Sequence, residues 1–217
     1  MKPDFQIKKV KLYNCDNMIF MKEIPDNHYD LAIVDPEYGI GAGSINFKNG
    51  TSKTEKEYYR KNDWDLKPPP QEYFDELFRI SKNQIIWGAN YMIDKIVKPS
   101  MGWIYWDKMT GNSSYSDGEL AFTSFDRALR SFRLHTSQEQ TNRIHPTQKP
   151  VALYKWILSK YAEKGNKIID THGGSCSLGC ACMDMDFDID ICEIDKKYFD
   201  DAVNRLKNNV QDYFAFV

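Results

Sequence analysis

Residues 167–195 read KIIDTHGGSCSLGCACMDMDFDIDICEID, and this stretch decides the fold class. A short apolar run ends in Asp170, a glycine-containing turn follows, and a helical segment begins at about Ser177. A second predicted strand, at residues 188–193, then ends in Glu193. Two short strands joined by a helix form a βαβ unit, which predicts a parallel sheet.

The same alternation of strands and helices continues through the rest of the chain. Apolar runs predict strands, and apolar residues at helical spacing predict helices that begin after Pro70, at Val151 and at Lys196. The predicted strands are 10–13, 31–34, 84–87 and 103–106, with a hairpin of 120–125 and 131–135 that turns at Asp126-Arg127. We therefore expect one domain, residues 1–217, with a parallel sheet covered on both faces.

Composition narrows the class of protein. No apolar run approaches the roughly 20 residues that a membrane-spanning helix needs, and the first residues, MKPDFQIKKV, have no apolar signal core. Five cysteines without a signal peptide argue against a disulfide framework, and their spacing matches no paired zinc motif, so we expect no metal. The formal net charge of −2 does not by itself indicate a nucleic-acid partner, which would need a local basic patch. These features predict a cytoplasmic protein without a membrane partner.

The βαβ unit also predicts a nucleoside site. Glu193 stands 23 residues after Asp170, at the tip of the second strand, where an acid can accept both ribose hydroxyls. The turn lacks the third glycine of the dinucleotide fingerprint, so a cofactor without a pyrophosphate fits better, and S-adenosylmethionine is the obvious candidate. A plain βαβ turn with a surface acid remains the alternative.

Three further motifs give the chain a family resemblance. Residues 29–41 read YDLAIVDPEYGIG, residues 145–150 read HPTQKP, and residues 192–206 read CEIDKKYFDDAVNRL. With DTHGGS at 170–175, their order resembles the β-type DNA amino-methyltransferases, over about residues 12 to 208. The resemblance implies a Rossmann-like α/β fold with a mostly parallel seven-stranded sheet, one antiparallel strand and a permuted motif order.

The resemblance also implies roles for individual residues. Glu193 would hold the ribose of S-adenosylmethionine, and Asp16 would lie beside its adenine. Two groups of residues would contact the methionine end of the cofactor. The first lies in the turn and consists of Asp170, Gly173, Gly174 and Ser175. The second approaches from the other side and consists of Thr147, Gln148 and Lys149. The catalytic pocket would consist of Asp35, Pro36 and Tyr38.

The implied reaction explains the residues of the catalytic motif. An exocyclic amine on a base is a poor nucleophile because its lone pair is delocalised into the ring. The Asp35 carboxylate and the Pro36 carbonyl can accept its two hydrogens, which frees the lone pair for a methyl group. Tyr38 would stack on a base flipped out of double-stranded DNA. Aspartate at the head of the motif favours adenine-N6, and cytosine-N4 is the alternative.

Two departures from the family pattern bear on activity. Glu37 stands where a second proline is usual, and Thr171-His172 stand where Pro-Phe is commoner. Cys176 replaces a usual glycine, and we expect it to adopt an ordinary backbone conformation. A catalytically weakened homologue that only binds nucleic acid is therefore a second alternative.

The remaining predictions concern macromolecular partners. Arg127, Arg130 and Arg133 lie in or beside the predicted hairpin and are candidates for phosphate contacts. By the resemblance, residues at about 107–144 would be the target-recognition insertion, and we expect residues 42–67 to be a mobile substrate loop. We expect the apolar tail at 213–217 to dock on the body or on a second subunit, which leaves a homodimer open.

Overall fold

The computed structural model describes residues 1–41, 65–96, 98–111, 116–135, 144 and 147–214, and the side chains up to residue 209. One sheet of nine strands lies at the centre of this part of the chain, in the order β1-β2-β9-β8-β3-β4-β6-β5-β7. The strands are β1 Phe5–Ile7, β2 Val10–Tyr13, β3 Tyr29–Val34, β4 Ser81–Trp87, β5 Trp103–Asp107, β6 Gly118–Thr123, β7 Arg130–Arg133, β8 Lys167–Asp170 and β9 Asp188–Cys192.

Helices cover both faces of the sheet. They are α1 Asn17–Lys22, α2 Gln71–Ile80, α3 Val151–Tyr161, α4 Ser177–Asp184 and α5 Lys196–Phe214, with a short 3-10 helix at Ala89–Tyr91. On strand β3, Leu31 and Ile33 pack into a core with α3, α4 and α5. Ala32 and Val34 point the other way, into a core with α1 and α2. Burial on both faces explains why this strand reads as a continuous apolar run.

The predicted fold class is confirmed. The seven inner strands run from β2 to β5, and β6 is their one antiparallel member. Two short edge strands extend the sheet to nine: β1 pairs antiparallel with β2, and β7 pairs parallel with β5. No helix in the described ranges is long and apolar enough to span a membrane.

The predicted hairpin of 120–125 and 131–135 is wrong. Strand β5 lies between the two segments, pairing antiparallel with β6 and parallel with β7. Strand β6 fills the gap between β4 and β5, so both of its edges are occupied. The segment after it is bound elsewhere, because Ser124 N–H donates to the Gln84 carbonyl and the Arg127 guanidinium donates to the Lys160 carbonyl.

Part of the predicted loop and of the predicted recognition segment falls outside the described residues. These parts are 42–64, 112–115 and 136–143, and His145 and Pro146 of the HPTQKP motif lie outside as well. The described part of 107–144 contains β6 and β7, which belong to the sheet itself. Target recognition by this segment stays a prediction.

Candidate functional site

A cleft of about 1010 Å³ opens at the carboxyl ends of β3, β8 and β9. Open parallel sheets bind ligands at this edge. All the predicted catalytic and cofactor-binding residues line the cleft, namely Asp16, Asp35, Pro36, Tyr38, Thr147, Gln148, Lys149, Asp170, Gly173, Gly174, Ser175 and Glu193. Topology therefore brings together residues that are up to 177 positions apart in the chain.

At one end of the cleft, Glu193 is fixed by backbone donors. Its Oε2 accepts the Gly174 N–H at 2.7 Å, and its Oε1 accepts the Asp195 N–H at 2.8 Å. Burial raises the pKa of this carboxyl, and the two backbone hydrogen bonds oppose that shift. Gly173 lets the turn after β8 pack closely against β9, because a Cβ at this position would lie 2.8 Å from Ile191 Cγ2 and 3.2 Å from the Cys192 carbonyl oxygen.

The turn after β8 is held from both sides. Asp170 is buried and its Oδ1 accepts the His172 N–H at 3.0 Å, while burial raises its pKa well above the ordinary value. The Ser175 carbonyl accepts the Arg205 guanidinium of α5 at 2.7 Å. Asp16 caps α1 by accepting the Met18 N–H at 2.7 Å, and so faces the same cleft from the β2 side.

The expectation of an ordinary backbone at Cys176 is wrong. Its φ of 58° and ψ of 29° place it in the left-handed region that favours glycine. The Cys176 N–H donates to the Gly173 carbonyl at 2.7 Å, and its thiol packs beside Gly179. The turn thus keeps the geometry that a glycine would give, and the backbone strain falls on a residue whose side chain is buried.

At the other end of the cleft, Asp35 belongs to a cluster of charged side chains. Its Oδ2 lies 2.5 Å from the Lys149 ammonium, and its Oδ1 accepts the Tyr38 hydroxyl at 2.8 Å. Lys149 also lies 3.1 Å from Glu119 Oε2, and Lys108 lies 2.5 Å from Glu119 Oε1. Two carboxylates and two ammonium groups therefore balance one another in this cluster.

Burial and charge compete within this cluster. Desolvation of Glu119 disfavours its charged form, but Lys149 and Lys108 outweigh this and lower its pKa to about 2. Desolvation likewise opposes the charge on Lys149, yet Asp35 and Glu119 raise the Lys149 pKa above its ordinary value. The Lys149 side chain, which is only 3% exposed, is therefore a fixed cation at the Asp35 end of the cleft. The role predicted for Lys149 at the methionine end of the cofactor stays a prediction.

The Tyr38 ring is held in one orientation. Burial, followed by the Asp35 and Glu119 charges, raises its pKa well above the ordinary value. The ring stacks on Tyr91 with centroids 5.3 Å apart and an interplanar angle of 18°. Gly88, with a φ of +67°, lies so close that a Cβ there would be 2.1 Å from Tyr38 Cε1. Tyr91 and Gly88 therefore form the support behind a ring that lines the cleft.

Glu37 and His172, two of the residues that depart from the family pattern, face each other. Glu37 Oε2 lies 3.5 Å from His172 Nε2. His172 is also held by the Asn17 amide at 3.2 Å and by the Thr171 hydroxyl at 2.9 Å. The Glu37 carboxylate is thus directed to the cofactor side of the cleft, and the Asp35 hydrogen bonds are made by Lys149 and Tyr38.

The structure does not bring the three predicted phosphate-binding arginines together. Arg133 pairs with Asp107 in the β5–β7 ladder and its Nε lies 2.9 Å from Asp107 Oδ2, at the edge of the sheet that carries the cleft. Arg130 is exposed at the other end of the same short strand. Arg127 lies beyond the end of antiparallel β6, at the opposite edge, where it binds the Lys160 carbonyl.

Three residues near the site were missed from the sequence. Glu119 was a weak signal, an acid within the apolar pattern of β6. Tyr91 followed a strand end, and Asp65 was one of several charges in a polar segment. Each acts through a partner distant in the chain, so only the assembled sheet reveals it.

Comparison with known proteins agrees with this geometry. The type II methyltransferase M.HpaI of Haemophilus parainfluenzae is 25% identical over 245 residues, covering 92% of this chain and 75% of that protein. Among solved structures, the M1.HpyAVI–SAM complex superposes with a TM-score of 0.60 at 19% identity, covering 91% of this chain and 98% of the other. The cytosine-N4-specific PvuII DNA methyltransferase gives 0.62 at 12% identity, covering 93% and 88%.

A family model described as DNA methylase, for the N6 and N4 amino-methyltransferases, matches residues 44–204. This match spans the larger part of the chain, including β8, the cofactor turn and β9. The resemblance inferred from the motifs is confirmed, and with it S-adenosylmethionine as the cofactor. The chain belongs to the N6/N4 family of S-adenosylmethionine-dependent DNA methylases.

Proposed function

We propose that this protein transfers a methyl group from S-adenosylmethionine to the N6 amine of an adenine flipped out of double-stranded DNA. The observation that carries the choice of adenine is Asp35, a carboxylate at the tip of β3 that opens into the cleft beside Pro36. Adenine-N6 is the target that an aspartate at the head of the catalytic motif favours in this family. Cytosine-N4 is the competing target.

The residues at the β8–β9 end fit the proposed cofactor. Glu193 is held by backbone N–H groups with its carboxylate in the cleft, where it would accept the ribose hydroxyls. Gly173 lets the turn pack directly against β9, where a side chain would collide with Ile191, and Asp16 would lie beside the adenine. When bound, S-adenosylmethionine supplies a methyl group activated by a sulfonium.

Asp35 and Pro36 prepare the acceptor amine. The carboxylate and the Pro36 carbonyl would each accept one amine hydrogen, so that the nitrogen lone pair leaves conjugation with the ring. Lys149 and the Tyr38 hydroxyl already bind the two Asp35 oxygens, so this carboxylate needs little reorientation when the base arrives. The base would lie against the Tyr38 ring, whose plane is set by Tyr91.

The position of Glu37 supports activity rather than loss of activity. Its carboxylate contacts His172, while the groups that would accept the amine hydrogens are Asp35 and the Pro36 backbone. Substitution of the usual proline therefore removes neither acceptor. We assign the chain as an enzyme on this basis and not as a binding module.

A labelled-cofactor assay tests the proposal. The protein is incubated with tritiated S-adenosylmethionine and mixed-sequence DNA, and the DNA is digested to nucleosides. We expect label in N6-methyladenine and none after Asp35→Ala, with cofactor affinity retained in the variant. Label in N4-methylcytosine would establish the competing target. Cofactor binding without any transfer, also on mismatched DNA that eases base flipping, would contradict the assignment as an enzyme.

A further inference from the structure

Asp65 is a buried acid beside the catalytic motif. It is 2% exposed although its neighbour Leu66 is 56% exposed. Its Oδ1 accepts the Tyr38 N–H at 2.7 Å and the Gly39 N–H at 2.9 Å. Its own carbonyl accepts the Gly41 N–H at 2.9 Å. One residue thus binds three backbone donors of the segment that follows Asp35-Pro36-Glu37.

These hydrogen bonds act on a segment of unusual backbone. Gly39 and Gly41 have φ of 73° and 71°, which only glycine adopts without strain. A Cβ at Gly39 would lie 2.5 Å from Pro68 Cδ, so the turn also packs against the chain just after Asp65. Hydrogen bonds to a buried carboxylate are about twice as strong as neutral ones. The Asp65 carboxylate therefore restrains a segment that glycines alone would leave free.

The restraint matters because of residue 37. A proline fixes φ near −65°, whereas glutamate leaves φ free and raises the entropy of the unrestrained turn. We propose that Asp65 is the positioning residue that holds the catalytic turn of this protein, supplying by hydrogen bonds the rigidity that proline at position 37 would supply covalently. It acts through Tyr38, whose backbone it binds and whose hydroxyl donates to Asp35.

Amide hydrogen exchange tests the contact without reference to activity. In Asp65→Ala we expect the Tyr38 and Gly39 amides to exchange at least about tenfold faster, since their acceptor is gone. Asp65→Asn keeps an acceptor oxygen without its charge and should give an intermediate rate. The Met18 amide, bound to the Asp16 carboxylate, is the internal control and should not change. Unchanged exchange at Tyr38 and Gly39 in Asp65→Ala would overturn the proposal.

Kinetics test the consequence for methylation, which rests on the proposed function. We expect Asp65→Ala to lower kcat on the order of tenfold or more, with the S-adenosylmethionine Kd within about twofold of the parent. Glu163→Ala, an exposed acid after α3, is the matched control and should leave kcat unchanged.

A double-mutant cycle separates a positioning role from general damage. Glu37→Pro should change the parent little but restore part of the kcat of Asp65→Ala, because both changes act on the same turn. Effects that simply multiply would overturn the equivalence of Asp65 and proline. A parent protein that is inert on DNA would contradict the proposed function, and the exchange rates would still decide the Asp65 contact.

Discussion

Two glutamates, one at each end of the cleft, have pKa values that are shifted in opposite directions. Glu193 is a buried carboxylate whose partners are backbone N–H groups, and burial raises its pKa. Glu119 is a carboxylate beside two ammonium groups, and its pKa falls to about 2. The first side chain is available to a ligand, whereas the second is committed to Lys108 and Lys149.

Glu193→Ala should weaken S-adenosylmethionine binding. Removing charge-assisted hydrogen bonds to the ribose should cost about 1.5–3 kcal/mol of binding free energy. Titration calorimetry on the folded variant measures this, with Glu163→Ala as an exposed-acid control. An unchanged Kd would mean that the ribose is bound elsewhere in the cleft.

Glu119 should give the free energy of unfolding a specific pH dependence. Its folded pKa of about 2 lies below the ordinary 4.5, so its contribution is complete above about pH 4.5 and is lost as the pH falls towards 2. Urea unfolding should show Glu119→Gln less stable than the parent at pH 7, on the order of 2–3 kcal/mol. The difference should shrink between pH 4.5 and 2. A difference that does not change with pH would contradict this account.

For single residues, the sequence was sufficient to predict the location of those that stand at the end of a strand. Asp35, Asp170 and Glu193 end or follow buried runs, so their place at the sheet edge could be inferred before the structure. Asp65 and Glu119 could not be inferred, since their importance depends on Tyr38 and Lys149, residues 27 and 30 positions away. Cys176 was misjudged because its conformation is set by the whole turn.

Among the elements, the 3-10 helix Ala89–Tyr91 supports the Tyr38 ring through Tyr91 and the preceding Gly88. Gly88→Ala should lower the methylation rate on the order of tenfold or more, since a Cβ would collide with Tyr38. Gly165→Ala is a matched control, because Gly165 also has positive φ, at +90°, but nothing lies within 4 Å of its added Cβ. Both variants should lose stability from backbone strain, and Gly88→Ala should lose more because of its collision with Tyr38. Equal rates in the two variants would remove Gly88 from the site.

Strand β7 is the element we expect to contact the DNA backbone. Arg133→Ala should lower the slope of log affinity against log salt by about 0.9 for every phosphate that the arginine neutralises, and Arg130→Ala, at the end of β7 away from the cleft, should lower it less. Arg127→Ala removes the same charge from the opposite edge and should leave the slope unchanged. Fluorescence anisotropy across a salt series measures all three slopes. A slope change confined to Arg127→Ala would place the DNA on the other edge.

Element types were predicted better than element partners. Strands at 118–123 and 130–133 were expected nearly where they occur, but as a hairpin. Local sequence encodes an extended conformation, and pairing depends on competition for sheet edges. Here β4 and β5 occupy both edges of β6, so β7 pairs with β5 instead. Helix α5 begins at Lys196 as predicted and continues to Phe214.

For the whole molecule, the fold class follows from the alternation of strands and helices, and the family from the order of the motifs. The site depends on the strand order, which places β8 between β3 and β9. This arrangement sets the cofactor turn beside the catalytic motif although the first comes late in the chain and the second early. A sequence motif can name the residues of such a site, but it cannot give the charge cluster of Asp35, Lys149, Glu119 and Lys108.

The same strand order has a consequence for biosynthesis. Within the described sheet, the β1–β2 pair and the β3–β4–β6–β5–β7 block are joined by strand hydrogen bonds only through β8 and β9, which follow all the other described strands in the chain. Until residues 167–192 emerge, β2 and β3 each present an unpaired parallel edge, which is prone to join other chains. Ribosome stalling in α3 would therefore release two unjoined pieces of sheet instead of a smaller folded domain. We therefore expect the described sheet to close only after residues 167–192 have been synthesised.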